Sequence, residues 1–447
     1  MRFAPHTDED VREMLAACGL GSVDDLFAHL PPGVVLGRDL DLPEGISEPE
    51  LVRRMSALAA RDRTADDLVC FAGGGAYDHY VPALVWALAG RSEFYTSYTP
   101  YQPELSQGVL QALFEYQSMI CELTALEVSN ASLYDGSTAL VEAAHMATSA
   151  TRRGRILVSE AVDERHRETL RTYGAGLGYA IELVPADGGV TPVPAVAEDV
   201  AAVVLQHPNA YGNLEPGIRE AFAAARAGGA RAIQVFDPLS LGLLAPPGEL
   251  GADIAVAEGQ GLGNHLNYGG PYLGVIAARM QDVRRMPGRI VGETVDVDGA
   301  TGYVLTLQAR EQHIRREKAT SNICTNQTLM AVAAAIYLAW LGPDGLAELG
   351  RHARSKAAYA AQRLAGVPGV RLAFPGATPF KEFALRTDRD PLDVQAALIA
   401  EGFLVGPALA APGGPVLMVS TTERRTREEI DALADALGRA GGAGAAR

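Results

Sequence analysis

Between residues 155 and 278 the chain repeats one pattern: a short, continuous apolar run, then a longer stretch with apolar residues at helical spacing. The runs are Arg155–Ser159, Ala180–Val184, Ala201–Gln206, Arg231–Asp237, Asp253–Ala257 and Tyr272–Ala278. They lack the alternation of a half-exposed strand and so read as strands covered on both faces. Helices are expected over Gln107–Thr124, Thr138–Ala150 and Gly217–Ala227. Strands alternating with helices indicate an α/β domain with a mostly parallel sheet. The 447 residues suffice for a sizeable core, and a chain that is 48% hydrophobic and 21% charged is not disordered as a whole.

Three parts are expected. Residues 1–67 read as a helical N-terminal arm. Thr7 precedes Asp8, Glu9 and Asp10, an N-cap with an acidic first turn, and further helices are expected over Val23–Leu30 and Glu48–Ala60. Residues 68–330 form the large α/β domain. Residues 331–447 form a small C-terminal α+β domain. A helical stretch, Thr325–Leu341 then Gly345–Ala365, leads into an α+β unit with expected strands Val370–Phe374, Glu382–Thr387 and Val416–Ser420 and helices Pro391–Glu401 and Arg427–Leu437. No internal repeat is found.

The net charge of −16 argues against a nucleic-acid footprint or an anionic membrane surface. Cys18, Cys70, Cys121 and Cys324 are scattered, so neither a disulfide framework nor a metal site is indicated. The polar, acidic N-terminus is not that of a signal peptide, and the apolar stretch Ala331–Leu341 is short for a bilayer span. A cytoplasmic protein is expected. Only Lys318, Lys356 and Lys381 are lysines. Chemistry that needs a lysine within the first 317 residues is excluded.

Several segments can carry chemistry. Asp135-Gly136-Ser137-Thr138-Ala139 precedes a helix and could cradle an anion on free N–H groups, or be an ordinary N-cap. Asp237 ends a buried strand, where ligands of open α/β sheets bind; it could pair with a protonated cofactor ring nitrogen or simply make a turn. The glycine-rich stretch 258–271 holds His265, a catalytic candidate or a structural histidine. The loop Phe94–Gln102 carries Tyr95, Tyr98 and Tyr101, suited to a pocket wall or an interface. Arg315–Asn322 ends in Thr320, Ser321 and Asn322, a capped helix end or a polar loop reaching a pocket. Gly73-Gly74-Gly75 and the Gly174–Gly178 run match no nucleotide fingerprint.

Together the phosphate-type turn, Asp237 and the glycine-rich loop resemble a fold-type I pyridoxal-phosphate (PLP) domain. The expected Schiff-base lysine would fall near 257–267, where no lysine stands, and Lys318 lies too far along the chain. The stretch 95–139, with YTPYQPELSQGVLQALFEYQSMICELTALEVSNASLYDGSTA, closely resembles the P-protein family of the glycine cleavage system. REKATSNICT (316–325), EGQGLGNHLNYGGPYLG (258–274) and the arm match it too. The length fits one half of the long two-halved form, or one of two separate subunits.

The family's cofactor-bearing half has a His-Lys pair in the loop. Here Gln260, Gly261, Asn264 and His265 occupy that region, as in the α-type subunit that lacks its own Schiff base. The resemblance implies a glycine dehydrogenase (aminomethyl-transferring) complex, an α2β2 assembly, with PLP on the β-type partner subunit and none bound covalently here. It implies glycine decarboxylation and transfer of the aminomethyl group to the lipoyl arm of H-protein, with T- and L-proteins as further members of the system. No catalytic residue is then expected on this chain alone. Ser137, Thr138, Asp237 and His265 become vestigial cofactor-site residues. Tyr95, Tyr98, Tyr101, Gln102, Thr320, Ser321 and Asn322 become pocket-wall or cross-interface candidates. The alternatives are a stand-alone PLP enzyme using His265 in place of lysine, and a purely structural or regulatory subunit.

Overall fold

The computed structural model describes residues 5–96 and 98–441. It divides into two units, residues 1–63 and 64–447. In the first unit, Thr7 caps helix α1 (Asp8–Ala17) through a reciprocal bond with Asp10. Helix α2 covers Glu48–Ala59. The expected helix at Val23–Leu30 shortens to a 3₁₀ turn, Asp24–Phe27, since Pro31 and Pro32 leave no room to propagate it. None of the described residues of this unit is buried. Leu36, Leu40, Leu42, Val52 and Met55 are all exposed.

The second unit begins with strand β1 (Val69–Ala72), followed by helices α3 (Ala83–Ala89) and α4 (Gln107–Thr124). Next come β2 (Val128–Ser129), α5 (Gly136–Thr151), β3 (Arg155–Ser159), α6 (Glu164–Leu177) and β4 (Ala180–Val184). They are followed by β5 (Val200–His207), α7 (Ile218–Ala227), β6 (Arg231–Phe236), β7 (Ile254–Glu258) and β8 (Gly274–Ala278). Among the described residues these strands form a seven-stranded sheet in the order β2-β8-β7-β6-β5-β3-β4. Strands β4, β3, β5, β6 and β7 are mutually parallel; β8 runs antiparallel to β7. Every residue of β8 and all but one of β5 are buried, which is why these runs carry no polar alternation.

A hairpin follows, β9 (Ile290–Val295) with β10 (Thr301–Thr306). Its turn contains Asp298-Gly299, and the Asp296 carboxylate accepts from the Asp298 and Ala300 N–H groups. That dipeptide was a readable hairpin signal. Helix α8 (Thr328–Ala365) spans both expected helices and breaks at Gly342, φ 61°, before Pro343. By length and composition α8 could cross a membrane. Its N-terminal half instead supplies Ala331–Ala335 and Tyr337 to a hydrophobic core shared with α4 and β8.

The remaining elements are β11 (Val370–Leu372), β12 (Glu382–Thr387), α9 (Pro391–Ala400), β13 (Phe403–Gly406), β14 (Ala408–Leu409), β15 (Val416–Ser420) and α10 (Arg427–Gly441). A four-stranded antiparallel sheet has the order β11-β12-β15-β14. β1 and β13 pair in parallel from opposite ends of the unit. Four apolar residues with so distant a partner carry no periodic signature.

Candidate functional site

Asp237 follows β6 directly, at the carboxyl end of the parallel sheet. Its Oδ1 accepts from the Leu239 N–H at 3.0 Å, which also caps the 3₁₀ turn Pro238–Gly242. Its Oδ2 faces the Nζ of Lys381 at 2.7 Å. Lys381 stands one residue before β12, so the small sheet delivers it to the large one. Thr421 N–H bonds the Lys381 carbonyl at 2.9 Å, and Phe380 N–H bonds the Gly212 carbonyl at 2.9 Å. The Lys381 side chain is 3% exposed. A buried ammonium must find acceptors for its three donors. It meets Asp237, the Nε2 of His79 at 3.3 Å, and the face of Tyr77 with Nζ 3.5 Å from the ring centroid.

This arrangement sets the histidine tautomer. An ammonium only donates, so His79 Nε2 is the acceptor and Nδ1 carries the proton, donated to Glu423 at 2.8 Å. Burial raises the Glu423 carboxyl, but His79 and the Tyr80 N–H outweigh it and hold it at about 2. The next residue, Glu382, is buried and accepts from Tyr77 Oη at 2.7 Å and from the Gly74 N–H. Burial pushes both the Glu382 carboxyl and the Tyr77 hydroxyl up.

The helix that would cradle a phosphate is also engaged. Asp135 and Thr138 form a closed capping box at the start of α5, with the Thr138 N–H donated to Asp135 at 2.8 Å. Of the two readings of that turn, the capping one is realised. Ser137 lies half-buried at the second helical position. The Gly136 N–H is donated to Glu258 Oε2 at 3.0 Å. Glu258 Oε1 accepts from the Gln260 and Leu273 N–H groups at 3.0 and 3.1 Å. Burial pushes the Glu258 carboxyl up to about 7, and the Gly136, Leu273 and Gln260 donors oppose that rise. Gly136 is required for the close approach, because a Cβ there would come within 2.8 Å of the Glu258 nitrogen.

The glycine-rich loop is closely packed at Gly261. A Cβ at Gly261 would already meet His79 and Leu239 at 3.3 Å. Gln260 is spent on the Tyr77 backbone at both ends of its amide, and on the Asn264 carbonyl at 2.7 Å. His265 is exposed, with its ring stacked 6.4 Å from Trp86; it does not line the Asp237 cavity. The space left between Asp237, Lys381, Glu258 and His166 is about 50 Å³. Among the described residues neither ring nitrogen of His166 has a hydrogen-bond partner, and Nδ1 lies 3.8 Å from Asp163 Oδ1. Such a cavity has room and polarity for a few water molecules at about 10–15 Å³ each. It does not fit PLP: the acidic partner, the helix N-terminus and the lysine site are all engaged by the chain itself.

A second cluster is open. Arg289, buried to 5% exposure, donates to the Cys324 carbonyl at 2.8 Å, to Asn326 Oδ1 at 2.8 Å and to Thr99 Oγ1 at 3.3 Å. Its guanidinium carbon lies 5.7 Å from the centroid of Tyr101, whose ring meets His313 edge-on. Asn326 bonds Ser132 Oγ at 2.8 Å, and the Cys324 N–H reaches Tyr134 Oη at 3.3 Å. Both long sequence signatures thus converge on Arg289. Sequence reading did not single it out, since an isolated arginine carries no pattern. Within the same two signatures Tyr95, Tyr98 and Tyr101 are 63%, 87% and 48% exposed, and Gln102 and Asn322 are exposed as well. Thr320 is half-buried. Ser321 Oγ accepts from the Ile323 N–H at 3.0 Å and bonds the buried Glu142, whose carboxyl burial lifts to about 7.

Residues 1–437 match the model of the glycine cleavage system P-protein family. The chain belongs to this family. It is 52% identical to the probable glycine dehydrogenase (decarboxylating) subunit 1 of Moorella thermoacetica, over 98% of this chain and 99% of the relative. The like-named protein of Carboxydothermus hydrogenoformans is 49% identical over the same shares. A crystal structure of glycine decarboxylase (P-protein) in inhibitor-bound form superposes with a TM-score of 0.92 at 47% identity, covering 98% of this chain and 100% of that one. A Burkholderia pseudomallei sphingosine-1-phosphate lyase superposes with a TM-score of 0.66 at 16% identity, over 90% of this chain and 93% of its own. At that identity the likeness speaks for the fold alone. The large domain is thus of the fold-type I PLP-transferase kind.

Proposed function

We propose that this chain is the subunit of a two-chain glycine decarboxylase that does not carry the cofactor. Its partner, a β-type subunit 2, would hold PLP and supply the electron sink for loss of carbon dioxide from glycine. The complex would then pass the aminomethyl group to the lipoyl arm of H-protein, ahead of the T- and L-proteins. The observation that carries this reading is the engagement of Asp237 by Lys381 inside a family member whose glycine-rich loop has no lysine. Without a nucleophile at the aldehyde position, no covalent cofactor attachment is available here. The chain's contribution would be the exposed surface organised by Arg289, with Tyr95, Tyr98, Tyr101, Gln102, Thr320, Ser321 and Asn322 facing the partner's site. Rigid aromatic bodies with polar tips suit that role. A lone enzyme built on His265 is disfavoured by that residue's exposure on Trp86, outside the Asp237 cavity.

The test is visible absorbance of the purified chain with PLP, without and with the partner subunit, alongside a glycine decarboxylation assay. The cofactor band and the activity should both require the partner. Glycine turnover by this chain alone would overturn the reading.

A further inference from the structure

We propose that this chain fills its own ancestral cofactor pocket: the Lys381 ammonium takes the place of a pyridine nitrogen at Asp237, and the Glu258 carboxyl takes the place of a phosphate at the N-terminus of α5. The pocket has become an internal clasp between the small and large sheets. The inference rests on the reading of this chain as the subunit without a Schiff-base lysine, but its test involves no decarboxylation.

The geometry at the Asp237 end decides which role Lys381 has. In a pyridoxal ring the aldehyde carbon lies para to the ring nitrogen. A lysine that carried the cofactor would therefore stand across the ring from the aspartate. Lys381 instead touches the aspartate itself, at 2.7 Å. Its other two donors are spent on His79 and on the Tyr77 ring, leaving none to turn toward a ligand. A protonated ring nitrogen brought to Asp237 would meet an ammonium first.

At the other end, Glu258 gathers three backbone N–H groups, one of them the first N–H of α5. Such a set of donors suits an anion, and the anion is already part of the chain. The close packing of Gly136 on the Glu258 backbone leaves no gap for a phosphate between them. An incoming phosphate would find these N–H donors already taken by the Glu258 carboxyl. The clasp also has mechanical consequence: Lys381 and Glu382 reach from the start of β12 to Asp237, Tyr77 and Gly74.

The scarcity of lysine makes the first test simple. The full chain is treated with PLP and then borohydride, which reduces any imine to a stable pyridoxyl-lysine, and the three lysines are mapped by mass spectrometry. Exposed Lys318 and half-buried Lys356 should carry the label, with Lys381 labelled at least tenfold less. Preferred labelling of Lys381 would overturn the proposal. Pyridoxamine 5′-phosphate, which has no aldehyde, is then titrated into the wild type, K381A/E258A and K381A/E258A/D237A. The wild type should show no saturable binding. The double variant should bind at least tenfold more tightly, and the triple variant should lose that gain. A folded double variant with no gain, or a wild type that binds stoichiometrically, counts against the clasp. If the double variant does not fold, the labelling of the wild type decides. Decarboxylation by the wild-type chain with its partner is measured separately, so failure of the complex's role and failure of the clasp are told apart.

Discussion

The Asp237 cavity and the Arg289 cluster use the same kinds of side chain to opposite ends. In the cavity the polar groups are answered within the chain: Lys381 by Asp237, the His79 N–H by Glu423, Glu258 by backbone N–H groups. At Arg289 the polar anchor is buried, but the Tyr101 ring beside it is 48% exposed, and Tyr98 in the same loop is 87% exposed. Buried ionic groups that lose their ligand must be paired internally or lost, because an unpaired charge in a low dielectric is expensive. A surface that meets another chain can leave its aromatic groups uncovered until assembly. The contrast separates a site that has turned inward from one that remains open.

The largest effect should come from breaking the inward site on one side only. D237A leaves Lys381 buried without its carboxylate and should cost about 3–5 kcal/mol of stability in denaturant melts. Adding K381M should recover most of that loss, since the uncompensated charge goes too. A single-variant cost under about 0.5 kcal/mol would mean the pair contributes nothing.

The open region should respond in the other currency. Y98A or N322A should lower the decarboxylase activity of the reconstituted complex about tenfold, roughly 1.4 kcal/mol at the transition state. The thermal melt of the chain should move by less than about 0.5 kcal/mol, as exposed positions do. Dissociation of the complex, or unchanged kinetics, would erase the distinction between the two regions.

Proton linkage sharpens the comparison further. The Glu258 carboxyl titrates near 7 in the folded chain, above its ordinary value of 4.5. A raised carboxyl contributes stability that is complete below the ordinary value and is lost as pH rises through the folded one. E258Q does not titrate. The stability of E258Q relative to wild type should therefore grow between about pH 4.5 and 7, by on the order of 1–3 kcal/mol. A pH-independent difference would mean that Glu258 titrates normally. The smallest effect is expected for G261A, whose added Cβ would press on His79 and Leu239 at 3.3 Å. It should cost about 1 kcal/mol in a melt.

Much of the fold was legible in the chain. Arg155–Ser159, Ala180–Val184, Gln107–Thr124 and Glu382–Thr387 fall where periodicity and composition put them. The Thr7 cap and the turn before α5 were legible because a cap is a local exchange between a side chain and N–H groups three residues on. β1 and β13 were not, because their pairing spans almost the whole second unit. The site divides the same way. Asp237 at a strand end could be picked out from its position after a buried run, and the absence of lysine from the glycine-rich loop by simple inspection.

What the sequence by itself determined is the family, the strand-and-helix grammar, and the fact that only three lysines exist to do any lysine's work. What only the tertiary structure decided is where one of them goes. Lys381 sits beside Asp237 because β12 starts against the carboxyl edge of the large sheet, and Glu258 accepts from the first N–H of α5 because β7 ends beside that helix's N-terminus. Local propensity acts over a few residues. The pairing of a buried charge is set by whichever distant groups the packed sheets bring within about 3 Å, and that distance exists only in the folded chain.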